Sequence, residues 1–393
     1  MSEPVKKINP VPESYSPKNK PEILAMAETA VTLPESTKIP FAGAIDQDGP
    51  ALGPHTRAFA SAVTSLAVLM GAPHDTSVMS AHNQLWRNDN DYFRHLMVSG
   101  EGFLFWHDVA DYFTDEPPWA PESTDGIWEA NYNGEKDASS IIDCFEIAGI
   151  KADIYTNYPV KNVAGGWSNT QTLEDMTLHN LAGGFPVLLF SGEPGDRILL
   201  ATGYENGGQT LLTWTFSAGD HKTNINFSTA NCKRVQNWTE DILAAALVKS
   251  PFLSPKDRKP LLLKALSRGA DLLRLDTNPD RFRETFCGAG KPHVHPEIWD
   301  LAERRCYLAD ALERAAEVLG TNKLTAAVGA GRQIHDNMWK IHAVWQEKKT
   351  KKAKMQIADI LGECRQLDLT IADTISSFLT NQEGEPDEYS KKA

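Results

Sequence analysis

Arg197, in "SGEPGDRILLATGY", is a fixed positive group placed just ahead of an apolar run. A guanidinium stays protonated at neutral pH, so it cannot act as a base, but it can clamp a carboxylate or phosphate through two parallel hydrogen bonds. His55 and Arg57, in "PHTRAFAS", stand just before a predicted helix, whose unsatisfied amides would add attraction for an anion. The plainer reading of Arg197 is a surface ion pair with Glu193 or Asp196. Ser61 and Ser65 are candidate nucleophiles, and His107–Asp108 is the natural supplier of an imidazole and its orienting carboxylate. Nothing in the linear sequence brings the two pairs together. The chain has no G-x-S-x-G, and Ser99 in "VSGEG" precedes a predicted strand, unlike a nucleophile elbow. Glu101, in the same turn, is a candidate buried acid or an ordinary solvated one.

Metal chemistry has weaker support. "KPHVHPE" sets His293, His295 and Glu297 at alternate positions, as an extended segment could present them to Zn or Fe, although His-x-His before Pro more often marks a helix start. His335 and His342 lie with Trp339 on one predicted helix face, but two turns, about 10 Å, separate the imidazoles. No cofactor is implied: "GAG" at 288–290 and "GAGR" at 329–332 lack the strand before and the partner residues after that a phosphate-cradling loop needs. The five cysteines, Cys144, Cys232, Cys287, Cys306 and Cys364, show no C-x-x-C pair, and Cys144 falls on an apolar helical stripe as a small hydrophobe. Trp86, Trp106, Trp119, Trp128 and Trp167 read as core, or as the wall of a cleft for a small organic ligand.

The elements that must position these groups follow from periodicity. Residues 1–50 read as an extended or disordered arm rich in Pro, Ser, Lys and Glu. "HTRAFASAVTSLAVLMGAP" places Phe59, Val63, Leu66 and Met70 at helical intervals before a Gly-x-Pro stop. "GEGFLFWHD" predicts a turn and an aromatic strand over Phe103–Trp106. A second helix, capped near Asp137, leads to a strand after Gly149; a third, "TLEDMTLHNLAGG", precedes the strand pair "GGFPVLLF" and "RILLATGY". From 251 to 382 every apolar pattern repeats at three and four, which predicts a helical bundle, and 383–393 reads as a disordered tail. The fold class is therefore α+β: a mixed domain over 51–250 and a helical domain over 251–382, the latter offering a surface for self-association.

Composition narrows the partners. With 41% hydrophobic residues the chain can bury ordinary cores, and a net charge of −13 with one short basic run, "EKKTKKAKM", argues against nucleic acid or an anionic membrane as the main partner. No stretch approaches the ~20 apolar residues of a membrane span, and the N-terminal residues lack an apolar signal core, so a cytoplasmic location is expected.

The order helix, helix, strands with "LMVSGEGFLFW", "GGFPVLLF" and "ATGYENG", then an all-helical half, resembles the butirosin-biosynthesis-type N-terminal domain, a relative of the C39-like papain fold. The likeness covers about residues 50–250. It implies a papain-like helix-plus-antiparallel-sheet domain, with a catalytic thiolate at the start of the central helix and a histidine at the head of a neighbouring strand. The thiol's place falls near Ala58 and the histidine's on Arg197, so both are replaced. The double departure points to a small-molecule-binding protein without cysteine-peptidase activity. Its ligand, acidic or amide-containing, would lie between the central helix and the Arg197 strand, near His55, Arg57, Glu101, Trp106 and Tyr204. The resemblance also implies an alternative, acyl or amide transfer through a non-standard nucleophile. A structural or interaction role is the third reading.

Overall fold

A computed structural model describes residues 34–38, 58–70, 97–98, 103, 137–191, 198–216, 233–250, 258–274, 295–347 and 350–383. Within them the chain is a mixed α+β fold with an antiparallel sheet and a C-terminal set of helices. The strands are β1 (Thr37–Lys38), β2 (Ala152–Thr156), β3 (Gly165–Gly166), β4 (Val187–Ser191), β5 (Ile198–Glu205), β6 (Thr210–Phe216), β7 (Lys233–Gln236) and β8 (Ile242–Val248). They form one sheet in the order β3-β2-β8-β4-β5-β6-β7, with β1 added on β5. All pairings between these strands are antiparallel except β2 with β3. The near-continuous apolar runs of β4, β5 and β8 fit their burial on both faces.

Register assigns the faces, since directly paired residues point to the same side. Phe190 pairs with Ile198, and Leu188 with Leu200, which in turn faces Trp214. Helix α1 (Ala58–Leu69) covers this side across β5 and β6. Its Phe59, Val63 and Leu66 are fully buried, as the helical spacing predicts. The Phe59 ring meets Phe190 at a centroid distance of 6.0 Å and Phe145 of helix α2 (Ser139–Ile147) edge-on at 6.1 Å. The Asp137 carboxylate accepts from the Ser139 backbone N–H at 2.8 Å and the Ser139 hydroxyl at 2.7 Å, so the expected capping residue does hold the start of α2. Helix α3 (Thr170–Ala182) is capped by Asn169, whose side chain accepts from Thr172 N at 2.9 Å. It stops at the Gly183–Gly184 pair foreseen from the sequence.

The helical half comprises α4 (Lys259–Arg274), α5 (His295–Leu319), α6 (Thr325–Glu347) and α7 (Lys351–Glu383). Helices α5, α6 and α7 pack in succession, and α4 lies against α7. Gly320, at a φ of 67°, closes α5: the next amide, of Thr321, reaches back to Ala316 O at 2.9 Å. The buried apolar residues of both halves form one contiguous cluster. Three polar links reinforce it. Asp143 of α2 accepts from Lys264 and Arg268 of α4 at 2.8 and 2.7 Å. Arg365 of α7 donates to Leu273 O in the last turn of α4 at 2.6 Å. Arg305 of α5 and Asp368 of α7 form a bidentate pair at 2.6 and 2.9 Å, both with fully buried side chains, and the same guanidinium donates to Phe103 O at 3.3 Å.

That last contact corrects one expectation. Phe103 does not open an aromatic strand; it sits in a turn, with its backbone carbonyl on Arg305 and its ring filling the space where Gly269 lacks a side chain. Residues 104–106 lie outside the described residues.

Asp368→Ala should strand the Arg305 guanidinium in the core and cost about 3–5 kcal/mol. Because the two halves share one core, urea unfolding followed by sheet and helix signals should shift as a single transition, and Arg305→Met with Asp368→Leu should recover most of the loss.

Candidate functional site

The start of α1 and the head of β5 converge. Ala58 is the first residue of the helix, and Phe59 beside it touches Phe190. Phe190 pairs directly with Ile198, the residue that follows Arg197 in the chain. The two positions at which the sequence departs from a thiol–imidazole pattern are thus each one residue away from a single packed trio. Ser61 and Ser65 lie on α1, one turn apart. Between them the Thr64 hydroxyl is committed to Ala60 O at 2.7 Å. Arg197, His55, Arg57, Glu101, Trp106, His107, Asp108 and His293 lie outside the described residues.

Tyr204 is placed differently from the expectation. β5 carries an irregularity between Ala201 and Gly203, where the partner residues on β6 run from Thr213 to Leu212 without a gap. Thr202 is therefore an extra residue, and one extra residue reverses the side to which everything after it points. Tyr204 consequently pairs with Leu211 and faces away from α1, whereas a regular strand would have turned it toward the helix with Leu200. It is fully buried, its hydroxyl has no hydrogen-bond partner among the described residues, and burial pushes its phenol up from the usual range. The sequence held a signal for this: an isolated glycine, Gly203, within a strand pattern often marks a bulge.

The expected alternation of His293, His295 and Glu297 is also corrected. His295 and Glu297 fall within α5, where positions two apart do not share a face, so the extended-segment geometry that would let them grip one ion does not exist. Among the described residues no group of three His, Cys, Asp or Glu is placed to hold a metal ion. On α6 the expected face is formed. Trp339 lies between His335 and His342 at centroid distances of 6.2 and 6.0 Å, both edge-on, and its indole N–H donates to His335 Nε2 at 3.1 Å. Trp339 remains 44% exposed.

Cys144 and Cys364 are not poised as nucleophiles. Cys144 is fully buried on α2, as the apolar stripe predicted. Cys364 is fully buried on α7, and its thiol is pushed up to about 12, first by burial and then by Asp368 and Glu363, against opposing effects of a hydrogen bond with Asn337 and the charge of Arg305. Nucleophilic attack requires the thiolate, which this environment suppresses. A shallow groove of about 490 Å³ runs along α7 between Lys323 and Asn381. Its Thr370 and Thr374 hydroxyls bond back to Gln366 O and Thr370 O, and Asp373 is engaged by Arg274 at 2.8 Å, which leaves few polar groups for a ligand.

No helix among the described residues is long and apolar enough to cross a membrane. Comparisons of the chain with protein-family models, with curated proteins and with solved structures return no match.

Two outcomes test this picture. Unfolding exposes Cys364 to water, where a thiol titrates near 9, while the folded thiol stays protonated to about 12. The unfolded state therefore releases its proton first, and stability should fall as pH rises from about 9 toward 12; Cys364→Ala should flatten that slope in pH-dependent urea titrations. Tyr204→Phe removes a buried hydroxyl that has no partner here, so its melting temperature should stay level or rise.

Proposed function

We propose that the chain is a papain-like, C39-type α+β protein that binds a small acidic or amide-containing ligand and lacks cysteine-peptidase activity. The observation that carries this reading is the convergence of the α1 start and the β5 head: Phe59, Phe190 and Ile198 stand together, flanked in sequence by Ala58 and Arg197. A helix start supplies oriented amides for negative charge, and a guanidinium one residue from that contact supplies a bidentate clamp. Neither supplies a proton acceptor or a thiolate. The buried, unreactive setting of Cys364 supports the same reading.

Acyl or amide transfer is the alternative, and Ser61 and Ser65 on α1 keep it in play. Calorimetric titration with short dicarboxylates and their amides should detect binding to the native chain, weakened at least about tenfold by Arg197→Ala, the loss of one charge-assisted contact. Turnover of acyl thioesters or peptides that disappears in Ser61→Ala or Ser65→Ala would overturn the binding-only reading in favour of transfer.

A further inference from the structure

Strand β5 is longer than its neighbour. β4 pairs with it from Ile198 to Ala201 and begins at Val187, immediately after Pro186. Pro186 directs its carbonyl to Val248 of β8, and the next residue whose polar groups could face β5, Phe185, spends its N–H on Asn180 O at 3.1 Å and its carbonyl on Asn180 Nδ2 at 3.1 Å, so β4 does not extend further along β5 in this direction. Gly203, Tyr204 and Glu205 pair with β6 on one side, and their other side is open to whatever extended chain reaches it. In this structure the occupant is the N-terminal arm. Thr37 pairs with Tyr204 and Lys38 with Gly203, antiparallel, and Glu35 O accepts from the Gly207 amide at 2.8 Å. Helix α3 also packs against β1.

Among the described residues the attachment consists of two ladder residues and one further backbone bond, with Pro34, Glu35 and Ser36 exposed and Thr37 only half-buried. Segments with few buried apolar contacts open locally at low free energy, well below that of the whole fold. The site beneath is built from the backbone, and Gly203 and Gly207 present no side chain against the incoming strand. Such an edge selects for extended conformation and gains affinity through main-chain hydrogen bonds.

We infer that the Gly203–Glu205 edge of β5 is a strand-addition site for an extended peptide, and that residues 35–38 occupy it in cis as a releasable strap. The partner's chemistry is set by the occupant already there: an extended segment with a small polar residue opposite Tyr204. A tethered strand has an effective concentration on the order of millimolar, so a competing peptide gains entry only when the strap lifts. This inference is independent of the anion-binding reading, because the edge and the start of α1 are different parts of the molecule and are tested through different residues.

The experiment compares the native full-length chain with T37P/K38P, which removes whichever of the two alternating strap amides faces β5 and leaves the core intact, as far-UV circular dichroism and the melting temperature should confirm. Amide exchange at 203–207 should quicken at least about tenfold in the variant, the loss of one net hydrogen bond. Millimolar synthetic peptide of residues 33–39, LPESTKI, should restore protection in the variant and change nothing in the native chain, whereas a scrambled peptide with proline at both central positions should not. Unchanged exchange in a folded variant, or no response to LPESTKI, would overturn the inference. Concentration-dependent dimerisation of the variant with the same amides protected would assign the edge to a second copy and overturn the peptide reading.

Discussion

The bidentate pair of Arg305 and Asp368 sets the terms for the rest of the molecule. Two opposite charges are held with no exposure, and they are tolerated there because each satisfies the other and a further guanidinium N–H donates to the Phe103 carbonyl. That third contact ties a turn from the N-terminal half into the helical half. Phe103 then places its ring over Gly269, a position where any β-carbon would collide. The helices therefore do not form an appended domain in the energetic sense: their most demanding polar group is completed by a residue from the other side of the fold.

The sheet has its own constraint, and it is one residue long. The extra Thr202 on β5 turns Tyr204 away from α1 and leaves the α1 side to Phe190, Ile198, Leu200 and Trp214. Asn180 acts at the same level by taking both backbone groups of Phe185 just before β4, which leaves part of β5 to be paired by the N-terminal arm. Local chain chemistry at two neighbouring places in the sheet thus decides which groups face the helix, which face the other way, and where an additional strand can attach.

Much of the architecture was legible because it is periodic. The helix at 58–69, the cap near Asp137, the Gly-Gly stop of α3, the strand pair after Gly184 and the C-terminal helices follow from spacing and capping chemistry. What was not legible depends on register and on distant contacts. Phe103 reads as strand from its aromatic neighbours because nothing local announces that Arg305, 202 positions away, will take its carbonyl. Tyr204 reads as facing the cleft because alternation assumes no bulge, and the glycine that hints at one is also an ordinary hairpin residue. His295 and Glu297 read as alternate ligands only while the segment is taken as extended. At the candidate site, the sequence supplied the departures at Ala58 and Arg197, and only packing brought their neighbours Phe59, Phe190 and Ile198 together.

The outer strand β7 shows a second way of finishing a sheet. Its residues Lys233, Arg234, Val235 and Gln236 are largely solvent-facing, and Arg234 bonds Glu205 at 3.0 Å through two nitrogens. Where β5 is capped by chain, β7 is capped by charge, and charged outer strands resist stacking between molecules. Neutralising Lys233 and Arg234 would therefore show itself less in how tightly the molecule holds together than in how crowded a solution of it can become before it clouds.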